Sequence, residues 1–210
     1  MLFNSYVFML AFLPLTLLGY FLLGKLPRRV QLNKVFLVLA SFVFYGYNNP
    51  SYVPIIAGSI LVNYALSQLM LSQEKKAVRL PLMLLGLAIN LGVLFYFKYH
   101  DFFFDNMNHA FGLHLTLNRV ALPLGISFFT FQQLSYVIDS YRRTVPRYNI
   151  LDYSLFVTFF PQLIAGPILK YKDLGDQIDQ RDCTAEKFAS GVQIFIVGLG
   201  KKVLLANNIG

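Results

Sequence analysis

Between Val35 and Gln73 the chain carries no charged side chain. A helix crosses the ~30 Å hydrocarbon layer of a bilayer with about 20 apolar residues at 1.5 Å each. This run is too long for one crossing and about right for two. Asn48-Asn49-Pro50-Ser51 divides it, because Pro50 lacks a backbone donor and disfavours helical geometry at Asn49. Val35–Tyr47 and Ser51–Leu71 therefore read as a helical hairpin.

The same logic extends along all 210 residues. Only 13% are charged and 56% are hydrophobic, with mean hydropathy +0.55. A soluble domain carries about 25% charged residues, so water cannot cover the apolar surface this chain would expose. Five further apolar segments follow: Tyr6–Leu23, interrupted by Pro14; Leu80–Phe97; Val120–Ile138, broken by Pro123 and Gly125; Tyr153–Leu169; and Phe188–Ala206. Thr184 is placed to cap the last, with Glu186 in its first turn. Lys98–Arg119, with Asp101, Asp105, His100, His109 and His114, is too polar to span and reads as an interfacial helix and loop. The opening Met1-Leu2-Phe3-Asn4 lacks the basic start of a secretory signal, so the first segment reads as an uncleaved membrane helix. The fold class is all-α: a polytopic transmembrane helical bundle with broken or re-entrant segments.

The net charge of +8 sits at the ends of apolar segments, which argues against nucleic acid and for a lipid bilayer. Lys25, Arg28, Arg29 and Lys34 follow the first segment; Lys75, Lys76 and Arg79 the third; Arg142, Arg143 and Arg147 the fifth. The intervening Tyr47–Ser51 turn has no Lys or Arg, and Lys98–Arg119 has them only at its edges. The positive-inside rule then places the basic loops in the cytoplasm and the N-terminus outside.

Tyr153–Leu169 contains Pro161, Gly166 and Pro167, which a straight spanning helix does not accommodate. Broken backbone at membrane depth has to be buried in protein or line a wet cavity. Re-entry keeps Lys170, Lys172, Arg181 and Lys187 inside, whereas a crossing leaves only Lys201 and Lys202 there, so the count leans towards re-entry without excluding a crossing. Gln132 and Gln133 lie within an apolar helix, where polar groups face a bundle interior or a cavity. Interhelical hydrogen bonding and lining of a substrate tunnel are both consistent with them. Lys201 and Lys202 follow Gly198-Leu199-Gly200, but the phosphate-loop pattern fails at Phe195 and Lys202. They read as snorkelling lysines, or as contacts to an anionic group. The candidates for a substrate tunnel are thus Gln132, Gln133, Pro161, Gln162, Gly166, Pro167, Lys201 and Lys202. The histidines fit no helix face that would hold a metal, and Cys183 is the lone cysteine, so no metal is expected.

Three stretches carry a family resemblance. The first is Leu122-Pro123-Leu124-Gly125-Ile126-Ser127-Phe128-Phe129-Thr130-Phe131-Gln132, continued by Ser135 to Arg142. The second is Phe159-Phe160-Pro161-Gln162-Leu163-Ile164-Ala165-Gly166-Pro167-Ile168, and the third runs from Gly191 to Gly198 and from Lys201 to Asn208. Together they resemble the bacterial membrane-bound O-acyltransferase (MBOAT) family, in the branch of the alginate O-acetyltransferase membrane subunit. Asn207 and Gly200 depart from the family's usual Asp and bulky residue.

The resemblance implies that residues 1–210 form the N-terminal part of a single MBOAT-type transmembrane domain in the inner membrane. It implies transfer of an acetyl or other short acyl group from a cytoplasmic donor, acetyl-CoA or an acyl carrier, with no bound cofactor. The acceptor would be an extracellular polysaccharide such as alginate, or an extracytoplasmic acetyl-transfer partner protein. The family's near-invariant histidine lies in later helices, so no catalytic residue is assigned within these residues. The alternative is a non-enzymatic multi-pass scaffold or transporter-like subunit, whose broken helices line a pathway.

Overall fold

The computed structural model describes residues 1–112, 121–164, 166 and 184–206, and among these there are helices and no strand. The chain divides into two compact units, Met1–Leu37 with Lys170–Gly210, and Val38–Leu169.

The first unit opens with helix α1, Phe8–Leu23. Its first turn, Phe8–Phe12, is a π-helix in which the Leu13 N–H bonds back to the Phe8 carbonyl. Pro14, with no N–H to continue an α-helical ladder, follows this widened turn instead of breaking the segment. Gly19 makes room for a neighbour: a β-carbon there would meet Phe36 Cζ at 2.5 Å. Helix α2, Arg29–Gly46, starts in this unit and ends in the second. It begins earlier than expected, and Lys34, read from the sequence as part of a basic loop, lies inside it and is buried. Pro27 is the last breaker before it, and charge alone does not interrupt a helix. The last described helix of this unit, Ala185–Gly200, continues as a π-helical stretch, Lys201–Ala206. Thr184 caps it as expected, its Oγ1 accepting from the Lys187 N–H at 3.2 Å with Glu186 in the first turn.

In the second unit the hairpin forms where the sequence places it. Asn49 is extended and its Oδ1 accepts from the Ser51 N–H at 3.1 Å, starting a 3-10 turn, Pro50–Tyr52. Helix α3, Val53–Ser72, follows, then helix α4, Lys76–Leu94. The fourth apolar segment does not end at Phe97. It runs through a π-turn, Phe95–Tyr99, into helix α5, His100–Phe111, giving one 36-residue helix. At 1.5 Å per residue this is ~54 Å, well beyond the hydrocarbon thickness. The polar stretch therefore begins as a continuation of a membrane helix, because no glycine or proline separates it from α4's last turn.

Helix α6, Ile126–Arg142, packs against both α3 and α4. Gly86 allows the close approach of α4: a β-carbon there would stand 3.0 Å from Val137 Cγ1. Helices α7, Ile150–Thr158, and α8, Phe160–Leu163, complete the unit. Among the described residues three helices are long and apolar enough to cross a membrane: Pro50–Ser72, Lys76–Phe111 and Ala185–Ala206.

Candidate functional site

The broken segment lies in the second unit. Asn149 starts α7, its Oδ1 accepting from the Asp152 N–H at 2.8 Å. The helix stops at Thr158, and Phe159, with φ −48° and ψ 105°, turns the chain into the single turn of α8. Tyr153, Leu155, Phe156, Val157, Thr158, Phe160 and Leu163 are all buried. The break comes two residues before Pro161, which occupies the first turn of α8, where a missing N–H costs nothing.

The backbone N–H groups at the break are satisfied by protein. The Phe160 N–H donates to Ser41 Oγ of α2 at 3.1 Å, and the Phe160 ring packs on Phe44 at 5.5 Å. The Gln162 and Leu163 N–H groups both bond to the Phe159 carbonyl at 3.0 Å. An unpaired N–H at this depth costs several kcal/mol, so Ser41 is part of what makes a break tolerable here. On the other side the Leu163 carbonyl approaches Gly125, which ends the Pro123-Leu124-Gly125 turn before α6 with φ +68°. Two of the motifs that carry the family resemblance thus meet at a backbone contact.

Gln133 is fully buried and joins a polar chain: its Nε2 donates to Ser59 Oγ at 3.0 Å, and its Oε1 accepts from Tyr153 Oη at 3.3 Å. Asn63 Nδ2 donates to the Ser59 carbonyl at 2.9 Å and to Asn90 Oδ1 at 3.2 Å. Asn90 Nδ2 returns the bond to Asn63 Oδ1 and also donates to the Gly86 carbonyl. Gln132 is equally buried, and among the described residues neither of its amide atoms has a hydrogen-bond partner. Pro161 is exposed and Gln162 is buried. Gly166 lies against Gln162, a β-carbon there falling 3.2 Å from Gln162 Cγ. Pro167 lies outside the described residues. Lys201 and Lys202 are exposed and belong to the first unit.

Ser41, Ser59, Asn63, Asn90 and Tyr153 are absent from the sequence-derived candidates, although Asn63 and Asn90 carried a usable signal as amides inside apolar helices. His100 pairs with Asp101 at 2.9 Å on α5 and His109 lies in that helix's last turn; His114 lies outside the described residues. Among the described residues no group of three His, Cys, Asp or Glu side chains is placed to hold a metal. Chemically, the broken segment offers fixed backbone dipoles and neutral amides, which orient and donate but do not accept a proton near neutral pH.

These features define a multi-pass α-helical membrane protein with an interrupted helix held inside its bundle. Residues 107–209 match the model of the membrane-bound O-acyltransferase family. The chain is 36% identical to the peptidoglycan O-acetyltransferase of Helicobacter pylori, over 99% of this chain and 45% of that protein. It is 38% identical to the probable alginate O-acetylase AlgI of Pseudomonas aeruginosa, over 100% of this chain and 40% of that protein. With the probable alginate O-acetylase AlgI of Pseudomonas putida the figure is 39%, over 100% of this chain and 43% of that protein. The chain spans less than half the length of these relatives. No solved structure matches it.

Proposed function

We propose that the whole protein is a membrane O-acetyltransferase that moves an acetyl group from a cytoplasmic donor, acetyl-CoA or an acyl carrier, to a glycan hydroxyl outside the inner membrane. The observation that carries this reading is similarity along 99–100% of the chain to proteins named for O-acetylation of peptidoglycan and of alginate. Their common chemistry is acetyl transfer to a glycan hydroxyl. An acceptor such as alginate, or a partner protein that relays the group outside, both fit it.

In this reading the N-terminus faces outside and the basic loops face the cytoplasm. Residues 1–210 form the N-terminal part of the transmembrane domain and supply tunnel wall but no catalytic base. The buried interruption at Phe159 supports a site-proximal role for α7 and α8, because irregular backbone within a membrane bundle lies where protein or a wet cavity surrounds it. Pro161, Gln162, Gly166 and Pro167 are the wall residues nearest the acceptor. Gln132 and Gln133 line the α6 side, and Lys201 and Lys202 meet an anionic part of the donor. The base belongs to a histidine in the later helices, which takes the proton from the acceptor hydroxyl.

The test is transfer of labelled acetyl from acetyl-CoA to glycan by membranes carrying the complete reading frame, beside membranes carrying an empty vector. Label appearing on glycan hydroxyls as base-labile ester supports the reading. Equal label in both membranes, with the protein present and folded, overturns it in favour of a scaffold or transport role.

A further inference from the structure

We infer that the polar chain Asn90–Asn63–Ser59–Gln133–Tyr153 is a positioning device that holds the interrupted segment, so that Asn90 and Tyr153 act on the reaction without touching its reactants. The catalytic half of this inference rests on the reading above that α7 and α8 adjoin the site. The mechanical half rests on geometry alone.

Helix α7 has nine residues and α8 four. Helices this short do not persist on their own hydrogen bonds, since isolated helices under about 12 residues are marginal. Their place depends on what grips them. Apolar contacts fill space but leave a short helix free to slide or rotate, whereas hydrogen bonds in a dry interior are directional and cost much when broken. Tyr153, fully buried in the first turn of α7, supplies such a bond through Oη to Gln133 of α6. Its ring also packs on Tyr136 at 4.7 Å and on Tyr64 at 5.8 Å.

Gln133 is itself held. Its Nε2 bond to Ser59 Oγ fixes the amide orientation that presents Oε1 to Tyr153. Ser59 sits one turn before Asn63, whose Nδ2 is bonded to the Ser59 carbonyl. The reciprocal amide pair with Asn90 then locks α3 to α4 at this level, with Asn90's second N–H on the Gly86 carbonyl. Asn63, Asn90, Gln133 and Tyr153 are each no more than 2% exposed. The chain therefore spans four helices, and its members are buried except Ser59, which is half-buried. Interhelical glue alone would need only neighbouring pairs. Here the pairs are joined end to end, and they finish on the one short helix whose position the interruption at Phe159 depends upon.

The experiment uses the complete protein in nanodiscs, with Tyr153→Phe and Asn90→Leu as separate variants. Tyr153→Phe keeps the ring contacts and removes only the hydroxyl. Amide exchange of the 153–164 peptide, followed by mass spectrometry, is expected to quicken about 5–10-fold in both variants, while α3 exchange in Tyr153→Phe stays as in the parent. Acetyl transfer per folded molecule is expected to fall about 10-fold in kcat with KM for the donor unchanged, because misplacement acts on the reacting geometry. Unchanged 153–164 exchange in Tyr153→Phe overturns the positioning inference. Faster exchange in Tyr153→Phe but not in Asn90→Leu overturns the long chain and leaves a local Tyr153–Gln133 bond. Faster exchange in both with kcat and KM at parent values upholds the mechanical link and overturns the placement of α7 and α8 beside the site.

Discussion

The carbonyl oxygen of Leu163 lies 2.7 Å from the point where a β-carbon on Gly125 would stand. Gly125 is also in the left-handed region, φ +68°, which side chains disfavour. One residue therefore meets two demands: it turns the chain into α6 and lets the interrupted segment sit against that turn. Gly125→Ala is expected to destabilise the protein by about 1–3 kcal/mol from backbone strain alone, with the backbone clash added to it. The check is thermal unfolding in detergent beside Gly58→Ala and Gly92→Ala. Those two helical glycines have nothing within 4 Å of a new β-carbon, and each exchange should be neutral or stabilising by up to ~1 kcal/mol. A Gly125→Ala melt equal to theirs would refute the account of this contact.

The Asn63–Asn90 pair should show strong non-additivity. Removing one amide strands its partner in a dry interior, at about 1–3 kcal/mol. Replacing both by Leu removes the demand along with the bond, so the double variant should be more stable than the sum of the single ones implies. A double-mutant cycle on unfolding free energy measures this. Simple additivity would mean that the amides do not interact.

Ser41→Ala removes the acceptor of the Phe160 N–H. The expected cost is about 1–3 kcal/mol, the penalty for leaving a buried donor unpaired. Exchange at the Phe160 amide should rise with it, which separates this effect from general loosening. Protection that stays at the parent level would show that another group accepts the bond.

The ends of α3, α4 and α6 meet at one level. Arg79 Nη1 donates to the Tyr141 carbonyl at 2.7 Å, and Arg143 donates to the Gln73 carbonyl. A cysteine at Lys76 and one at Arg147 are therefore expected to behave alike toward an impermeant thiol reagent in intact cells. Both should be spared, and one at Asn108 labelled, if the basic ends face the cytoplasm. Labelling at Lys76 with none at Asn108 would reverse the orientation; opposite behaviour of Lys76 and Arg147 would contradict the shared end.

Membranes holding residues 1–210 alone are expected not to transfer acetyl. Removal of the hydroxyl proton needs a base within about 3 Å, and the histidines of this chain lie only between His100 and His114, outside the interrupted segment. The assay compares these membranes with those holding the complete reading frame. Transfer by the shorter chain that survives His→Ala exchange at all three positions would place a catalytic group here that is not a histidine. Transfer abolished by one such exchange would assign that histidine a role.

The sequence by itself determined the class. Charge-free runs too long for one crossing, basic residues at their ends and prolines at their seams depend only on the local cost of placing charge or an unpaired amide in hydrocarbon. For the same reason the Asn49–Ser51 turn and the Thr184 cap were legible, since each involves residues two or three apart. The boundaries that failed were those where charge was read as a breaker: Lys34 lies inside α2, and α4 runs on into α5. Tertiary structure alone decided where the interruption falls and what tolerates it. Pro161 marked the neighbourhood, but the turn sits at Phe159 because Ser41, 119 positions earlier, accepts the Phe160 N–H. The joining of Gln133 to Tyr153, and of Asn63 to Asn90, likewise pairs groups 20 and 27 positions apart on different helices. Local propensity sees each of these side chains only as a polar residue that needs a partner; packing chooses which partner it finds.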